Sequence, residues 1–462
     1  MQLFDTRTSS LIELTEKKIR IYVCGITPYD FSHLGHARSA VIFDTLKRYL
    51  EFRGHEVVLV QNYTDVDDKI VRRALREGVT QKEIAERFIA EFEKDMQSLN
   101  VKKPDYTPRV TENIPDIIAF IQQLLKVGYA YEVEGDVYFH APSFPRYGEL
   151  SKQSLDELNK HRIEPDPRKK DIKDFALWKK AKEEDFITKA FFESPWGYGR
   201  PGWHIECSVL SSKFLGVPFE IHGGGRDLIF PHHENERAQT FALFNIEPVK
   251  IWMHNNFLTV SGEKMSKSLG NIVRIRDAVL KHGGEVLRYF LLSAHYRSAL
   301  DYNASEIEKA KRAYNYLRNT LINLDMEIAF LKTFGEKREK EGNINQMKAE
   351  FLNAIEKDLN TPLAISALHE IASYVNKNLS YLSLNFLEEI FKTFMQLSSI
   401  LGIFEDWKRI RTLTQQEIEL IKLREIAKKE REFERADEIR RQLKERGILL
   451  IDTKKGVRWR YE

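Results

Sequence analysis

Ile19-Arg20-Ile21-Tyr22-Val23 is a short β-branched run that stops at Cys24-Gly25. Ala37 to Leu50 follows, with Val41, Leu46, Tyr49 and Leu50 on one broad helical face, and Val57-Val58-Leu59-Val60 then ends at Asn62-Tyr63-Thr64. Two brief branched runs flanking a stretch of helical periodicity predict strand, helix, strand, and at this spacing the strands are parallel. Thr80 with Glu83 forms a capping box that predicts a further helix to about Leu99. Later strands are expected at Phe219-Glu220-Ile221, ending at His222, and at Lys250-Ile251-Trp252-Met253, ending at His254. Open parallel sheets bind ligands beyond the carboxyl ends of their strands, so Cys24, Thr64, His222 and His254 mark one edge as the site.

Working outward, residues 105–200 break this rhythm with proline-rich, loop-like stretches such as Pro142-Ser143-Phe144-Pro145 and Glu164-Pro165-Asp166-Pro167, and read as an insertion. From about Ser305 to Phe404 the pattern is of long helices. A charged helix is expected around Leu420–Arg446, closed by Gly447 and followed by Ile448-Leu449-Leu450-Ile451 and a basic tail. The expected fold class is α/β: a Rossmann-like parallel-sheet domain over 1–300, a helical bundle over 305–405 and a small C-terminal domain over 406–462.

The 462 residues are 42% apolar and 31% charged, enough for a sizeable core and against wholesale disorder. No apolar run has the length of a membrane helix, and Met1-Gln2-Leu3-Phe4-Asp5 does not begin a signal peptide, so no membrane partner is expected. Cys24 and Cys207 are the two cysteines, which leaves no disulfide framework and makes a reduced, cytoplasmic setting the default. Abundant Lys and Glu with few Cys and Met hint at a heat-adapted source. The net charge of +3 divides into +5 for residues 406–462 and −2 for the remainder. An end-loaded basic excess points to a polyanion, nucleic acid first, with a solvated mixed-charge helix as the plainer alternative. Residues 454–460 set four cations around Trp459, which is expected to stack on an unpaired base unless it packs on the preceding helix.

Three constellations carry chemistry. His33-Leu34-Gly35-His36 opens the first helix, where free N–H groups and the dipole attract phosphate, and two imidazoles add donors. Lys264-Met265-Ser266-Lys267-Ser268 offers two lysines on a loop suited to charge building on a pyrophosphate leaving group. No Walker-type P-loop is present. Cys24, Cys207, and His232 with Glu236 make a plausible zinc set, since His232 and Glu236 are four apart after Pro231. Two buried cysteines acting as small apolar residues compete with that reading.

The first two motifs, about 230 residues apart, resemble the HIGH and KMSKS signatures of class I aminoacyl-tRNA synthetases, with Leu34 replacing Ile. The segments Tyr22–Asp30, Arg200–Ser208 and Ile221–Glu236 narrow the resemblance to cysteinyl-tRNA synthetases, as do Asp358–Pro362 and Arg435–Arg440. The resemblance implies one zinc per chain on Cys24, Cys207, His232 and Glu236. It also implies a cysteine pocket at Gly25, Thr64, Trp203 and His222, and ATP or adenylate binding at Thr27, Gly225, Asp227 and Lys267. His33, His36, Lys264 and Lys267 are the implied catalytic groups. The implied partners are L-cysteine, ATP with Mg2+, and tRNA-Cys, and a monomer is expected. Residues 1–300 become the catalytic domain with a stem-contact region at about 238–300, residues 305–405 a tRNA-binding bundle, and 406–462 an anticodon-recognition domain. A cysteine:glucosaminyl-inositol ligase and a non-catalytic zinc-stabilised RNA-binding paralogue are the alternatives.

Overall fold

The computed structural model describes residues 1–152, 167–265, 270–453 and 456–461. Lys267, Ser266 and Ser268, Glu164-Pro165-Asp166, and Lys454-Lys455 of the basic tail lie outside the described residues. The chain divides into two compact units, Met1–Ile307 with Ile355–Thr361, and Glu308–Ala354 with Pro362–Glu462.

In the first unit a hairpin of β1 (Gln2–Asp5) and β2 (Ser10–Glu13) precedes β3 (Lys18–Ile26), α1 (Leu34–Phe52) and β4 (Glu56–Tyr63). Helices α2 (Asp68–Glu77) and α3 (Gln81–Ser98) follow. Next come α4 (Ile114–Lys126), β5 (Ala130–Val133), β6 (Asp136–Phe139), β7 (Phe175–Lys180), α5 (Glu183–Thr188) and β8 (Gly199–Pro201), in which the four strands form an antiparallel sheet in chain order. The chain then returns through α6 (Trp203–Leu215) to β9 (Phe219–Gly225), α7 (Glu234–Phe244) and β10 (Val249–Asn255). These complete a parallel sheet of order β10-β9-β3-β4. A small sheet of β11 (Leu258–Val260), β12 (Glu263–Lys264) and β13 (Leu300–Tyr302) brackets α8 (Ile275–His282) and α9 (Gly284–Leu292).

The central strands are buried almost without alternation: Ile19, Ile21, Tyr22 and Val23 on β3 and Ile221 on β9 are all inaccessible. A parallel sheet covered on both faces requires this pattern. β9 runs to Gly225, so His222 sits in mid-strand rather than at its end. The triple glycine after it reads as a turn, yet a Cβ at Gly223 would lie 2.2 Å from the Phe43 ring and one at Gly224 3.0 Å from the His233 ring. Helix α2 goes unread in the sequence because it is mostly charged. Asp67 caps it through Lys69 N, Gly78 ends it at φ 68°, and Ile70, Val71 and Ala74 are its buried stripe. The Thr80–Glu83 capping box of α3 is as expected.

The remaining elements are helices α10 (Ala304–Phe334), α11 (Asn345–Glu356), α12 (Thr361–Asn378) and α13 (Leu384–Leu401). After them come α14 (Gln415–Lys429), α15 (Phe433–Glu445) and a hairpin of β14 (Ile448–Thr453) and β15 (Gly456–Tyr461). The charged stretch is thus two helices, broken at Arg431 with φ 62°. The tail is a strand, not a free basic segment. Ile448, Leu450, Val457 and Trp459 are buried together on the hairpin, with Leu450 opposite Trp459. Trp459 is fully inaccessible and meets Phe334 edge-on at 6.1 Å, so it offers no face to an RNA base. Arg458 is likewise committed, bidentate to Glu327 at 2.7 and 3.0 Å.

Candidate active site

The site forms at the carboxyl edge of the parallel sheet. Cys24 and Gly25 lie near the end of β3, and the Gly25 N–H donates to Asn62 Oδ1 at 2.9 Å. A Cβ at position 25 would fall 1.4 Å from the Asn62 carbonyl oxygen, so only glycine lets these strand ends close. Cys207 comes from α6 and Glu236 from the first turn of α7. His232 comes from a wide turn, Ile229–His233, because extended backbone at Phe230 (φ −135°, ψ 134°) delays the helix from Pro231 to Glu234. His232 Nε2 still comes within 3.0 Å of Glu236 Oε1.

The ligand atoms of Cys24, Cys207, His232 and Glu236 all lie within 4.8 Å of one another. Donors sharing a zinc at about 2.0–2.3 Å stand about 3–4 Å apart, so the set is of the right size. His232 Nε2 is buried and finds no hydrogen-bond partner among the described residues, although it is close to the Glu236 carboxylate. A second set, Cys24, His222, His233 and Glu236, meets the same distance. Its histidines approach its own other members, His233 Nε2 at 3.2 Å from Cys24 Sγ and His222 Nε2 at 2.8 Å from Glu236 Oε2. The first set, two thiols with an imidazole and a carboxylate, fits a zinc ion.

Electrostatics agree with a site built for a cation. Burial resists the Cys207 thiolate, but the hydrogen bond with Cys24 and the neighbouring His232 outweigh it and bring the thiol down to about 6. Burial and the adjoining Cys207 push Cys24 well above the usual thiol range. Burial opposes a charged His232, yet Glu236 and Cys207 carry it up to about 10. Metal ligation requires the opposite protonation at Cys24 and His232, a thiolate and a neutral imidazole, and a divalent cation supplies the charge that allows it.

A cleft of about 860 Å³ opens above Cys24, a size suited to a small-molecule site. His33, His36 and Lys264 line it together with Thr27, Gly225 and Asp227. Of the four residues expected to form the cysteine pocket, Gly25 and Trp203 also line it. Thr64 and His222 lie deeper. Thr64 donates to Glu206 at 2.8 Å, and His222 holds Glu236. His33 caps α1: its Nδ1 accepts from Gly35 N at 3.1 Å, and His36 Nδ1 accepts from His33 N at 3.3 Å. The two rings stack 3.9 Å apart. Burial first, then His33 and Lys69, holds His36 well below the ordinary imidazole range, so it is neutral. Sequence reasoning missed Lys69 and Arg274, which line the cleft, and Asn62, which ties β4 to Gly25. No short motif surrounds them, and only the fold brings them in.

Comparison with known proteins gives a consistent result. Residues 10–312 match the family described as tRNA synthetases class I (C) catalytic domain, and residues 350–405 match the DALR domain. A cysteine–tRNA ligase of Archaeoglobus fulgidus is 62% identical over the full length of both chains. One of Thermococcus gammatolerans is 45% identical over 100% of this chain and 99% of its own. Among solved structures, the methionyl-tRNA synthetase of Mycobacterium tuberculosis in complex with methionyl-adenylate has a TM-score of 0.60 at 16% identity, over 84% of this chain and 90% of that one. A putative arginyl-tRNA synthetase of Campylobacter jejuni gives 0.57 at 16%, over 83% and 93%. At such identity the structures share the fold alone. No helix among the described residues is long and apolar enough to cross a membrane. With two family domains in order and relatives matched end to end, the chain belongs to the class I tRNA synthetases, in the family of the cysteine–tRNA ligases.

Proposed function

We propose that the chain ligates L-cysteine to tRNA-Cys in two steps. The cysteine carboxylate attacks the α-phosphorus of ATP and pyrophosphate leaves; a terminal ribose hydroxyl then attacks the carbonyl of cysteinyl-adenylate and AMP leaves. The observation that carries this reading is the cluster of Cys24, Cys207, His232 and Glu236, with Cys24 also lining the cleft that presents His33, His36 and Lys264.

Backbone N–H groups donate to Nδ1 of both His33 and His36, which leaves the ring hydrogen of each neutral imidazole on Nε2. Two Nε2–H donors at a helix N-terminus can meet phosphate oxygens and strengthen as charge develops on them. Lys264, with its ammonium 4.5 Å from the Phe257 ring centroid, supplies positive charge from the opposite motif, and Lys267 is assigned the same role. Gly225 and Asp227 are assigned to the adenosine, and Gly25, Thr64, Trp203 and His222 to placing or enclosing the amino acid. Cys24, Cys207, His232 and Glu236 would hold zinc, a soft Lewis acid that ranks a thiolate above an alcohol. Cysteine and serine differ by one atom, and shape alone separates such near-isosteres by only about 10²-fold. Mg2+ accompanies ATP. The tRNA is assigned to residues 238–300 at its stem and to 305–462 beyond it. The DALR match and the +5 charge of residues 406–462 support that part.

Cysteine-dependent ATP–pyrophosphate exchange, measured with and without a zinc chelator, tests the reading. Exchange with cysteine, its loss on chelation and its return with zinc are expected. Exchange that is unaffected by cysteine overturns it.

A further inference from the structure

Arg38 lies on α1, two residues after His36, and its side chain is completely buried. Its partners among the described residues are carbonyls, not carboxylates. Nη1 donates to Phe257 O at 2.6 Å, and Nη2 donates to His295 O at 3.2 Å and Ser298 O at 2.5 Å. Burial without a counter-charge brings the guanidinium down to about 10. A buried cation that meets no opposite charge is costly, and here the offset comes from the three carbonyls it gathers. All three belong to the frame of the small sheet. Phe257 directly precedes β11, and its carbonyl also accepts from Leu300 N at the start of β13. His295 and Ser298 lie in the loop that leads into β13. Strand β11 pairs with β12, setting Thr259 opposite Lys264, and the Lys264 ammonium stands 4.5 Å from the Phe257 ring centroid. Arg38, Phe257 and Lys264 line the same cleft as His33 and His36. A planar guanidinium fork holds several carbonyls at fixed angles, which the single ammonium of a lysine does not.

We infer that Arg38 is a positioning residue that acts through Phe257: it fixes the root of β11 against α1, so that the Phe257 ring holds the Lys264 ammonium in the cleft beside His33 and His36. This rests on the ligase reading above, which gives Lys264 its role toward phosphate charge. The two halves of the phosphate site come from segments more than 200 residues apart, and Arg38 is the side chain that ties one to the other.

The test is a pair of double-mutant cycles on the full-length protein, read by cysteine-dependent ATP–pyrophosphate exchange. Arg38→Lys keeps the charge and loses the fork; Phe257→Leu keeps the bulk and loses the ring. In the parent background Arg38→Lys is expected to lower kcat about 10–100-fold with the KM for cysteine unchanged, as a displaced charged group does. Phe257→Leu is expected to cost about 2–5-fold, the worth of an exposed contact between a cation and a ring. Combined with Lys264→Ala, both substitutions are expected to cost almost nothing further, because the group they position is gone. Losses that simply multiply with that of Lys264→Ala overturn the inference and leave Arg38 a packing residue. Should Arg38→Lys fail to fold, the Phe257→Leu cycle decides, since the inference has Arg38 act only through that ring. A parent without cysteine-dependent exchange overturns the ligase reading and this inference with it, whereas multiplying losses in an active parent overturn the inference alone.

Discussion

His222 Nε2 donates to Glu236 Oε2 across 2.8 Å, which leaves the other carboxylate oxygen 3.0 Å from His232 and 3.5 Å from Cys24. A mid-strand histidine thus fixes the carboxylate of a proposed zinc ligand. His222→Asn removes the bond without adding bulk. The expected result is zinc held about 10–100-fold more weakly in dye competition, with the far-ultraviolet circular dichroism unchanged. Parent-like affinity would show that Glu236 needs no such partner.

Cys207→Ser replaces a buried soft donor by a hard one. Zinc content is expected to drop from about one per chain, and cysteine activation to suffer far more than ATP binding. Metal analysis and separate KM values for the two substrates in pyrophosphate exchange check this.

Trp459 belongs to the core of the C-terminal hairpin, so Trp459→Ala acts through folding. Removing a fully buried tryptophan typically costs about 3–5 kcal/mol. A lower melting temperature is expected in the absence of any tRNA. A variant that melts like the parent yet binds tRNA poorly would return Trp459 to the RNA interface.

Acid should weaken the second unit through Glu417. Its carboxylate accepts from Arg411 at 2.8 and 3.0 Å, and that bond, with help from Thr414, brings it down to about 2. A carboxylate depressed in the folded chain contributes stability in full above its unfolded value of about 4.5 and loses it as the pH falls toward about 2. Melting followed from about pH 5 to about pH 3 should therefore show a fall that Glu417→Gln makes shallower.

The alternation of strand and helix from Ile19 to Val60 was legible because branched residues and helical periodicity are local signals. The cluster of Cys24, Cys207, His232 and Glu236 was legible for a different reason, since these residues carry rare chemistry in recognisable surroundings. Asn62 and Lys69 were not, because an amide and a lysine are ordinary until a fold places them beside Gly25 and in the cleft. Trp459 misled for the same reason. Cations around an aromatic ring describe a nucleic-acid contact and a packed strand equally well, and only burial separates them. The extent of β9 was hidden by Gly223-Gly224-Gly225, where absent side chains mark close approach rather than a turn.

Strand β3 pairs in register with β4 at Ile21 and Leu59, and with β9 at Ile21 and Ile221, a partner that lies 200 residues further along. Ribosomes add about 5–20 residues per second, so the β9 side of β3 stays open for about 8–32 seconds after its first neighbour has zipped on. An open apolar strand edge is a template for other chains. During that interval Cys24 also waits without Cys207, His232 and Glu236. Any pause in translation within the inserted segment lengthens the exposure, so the speed of decoding across residues 105–200 governs how much of the newborn protein escapes aggregation.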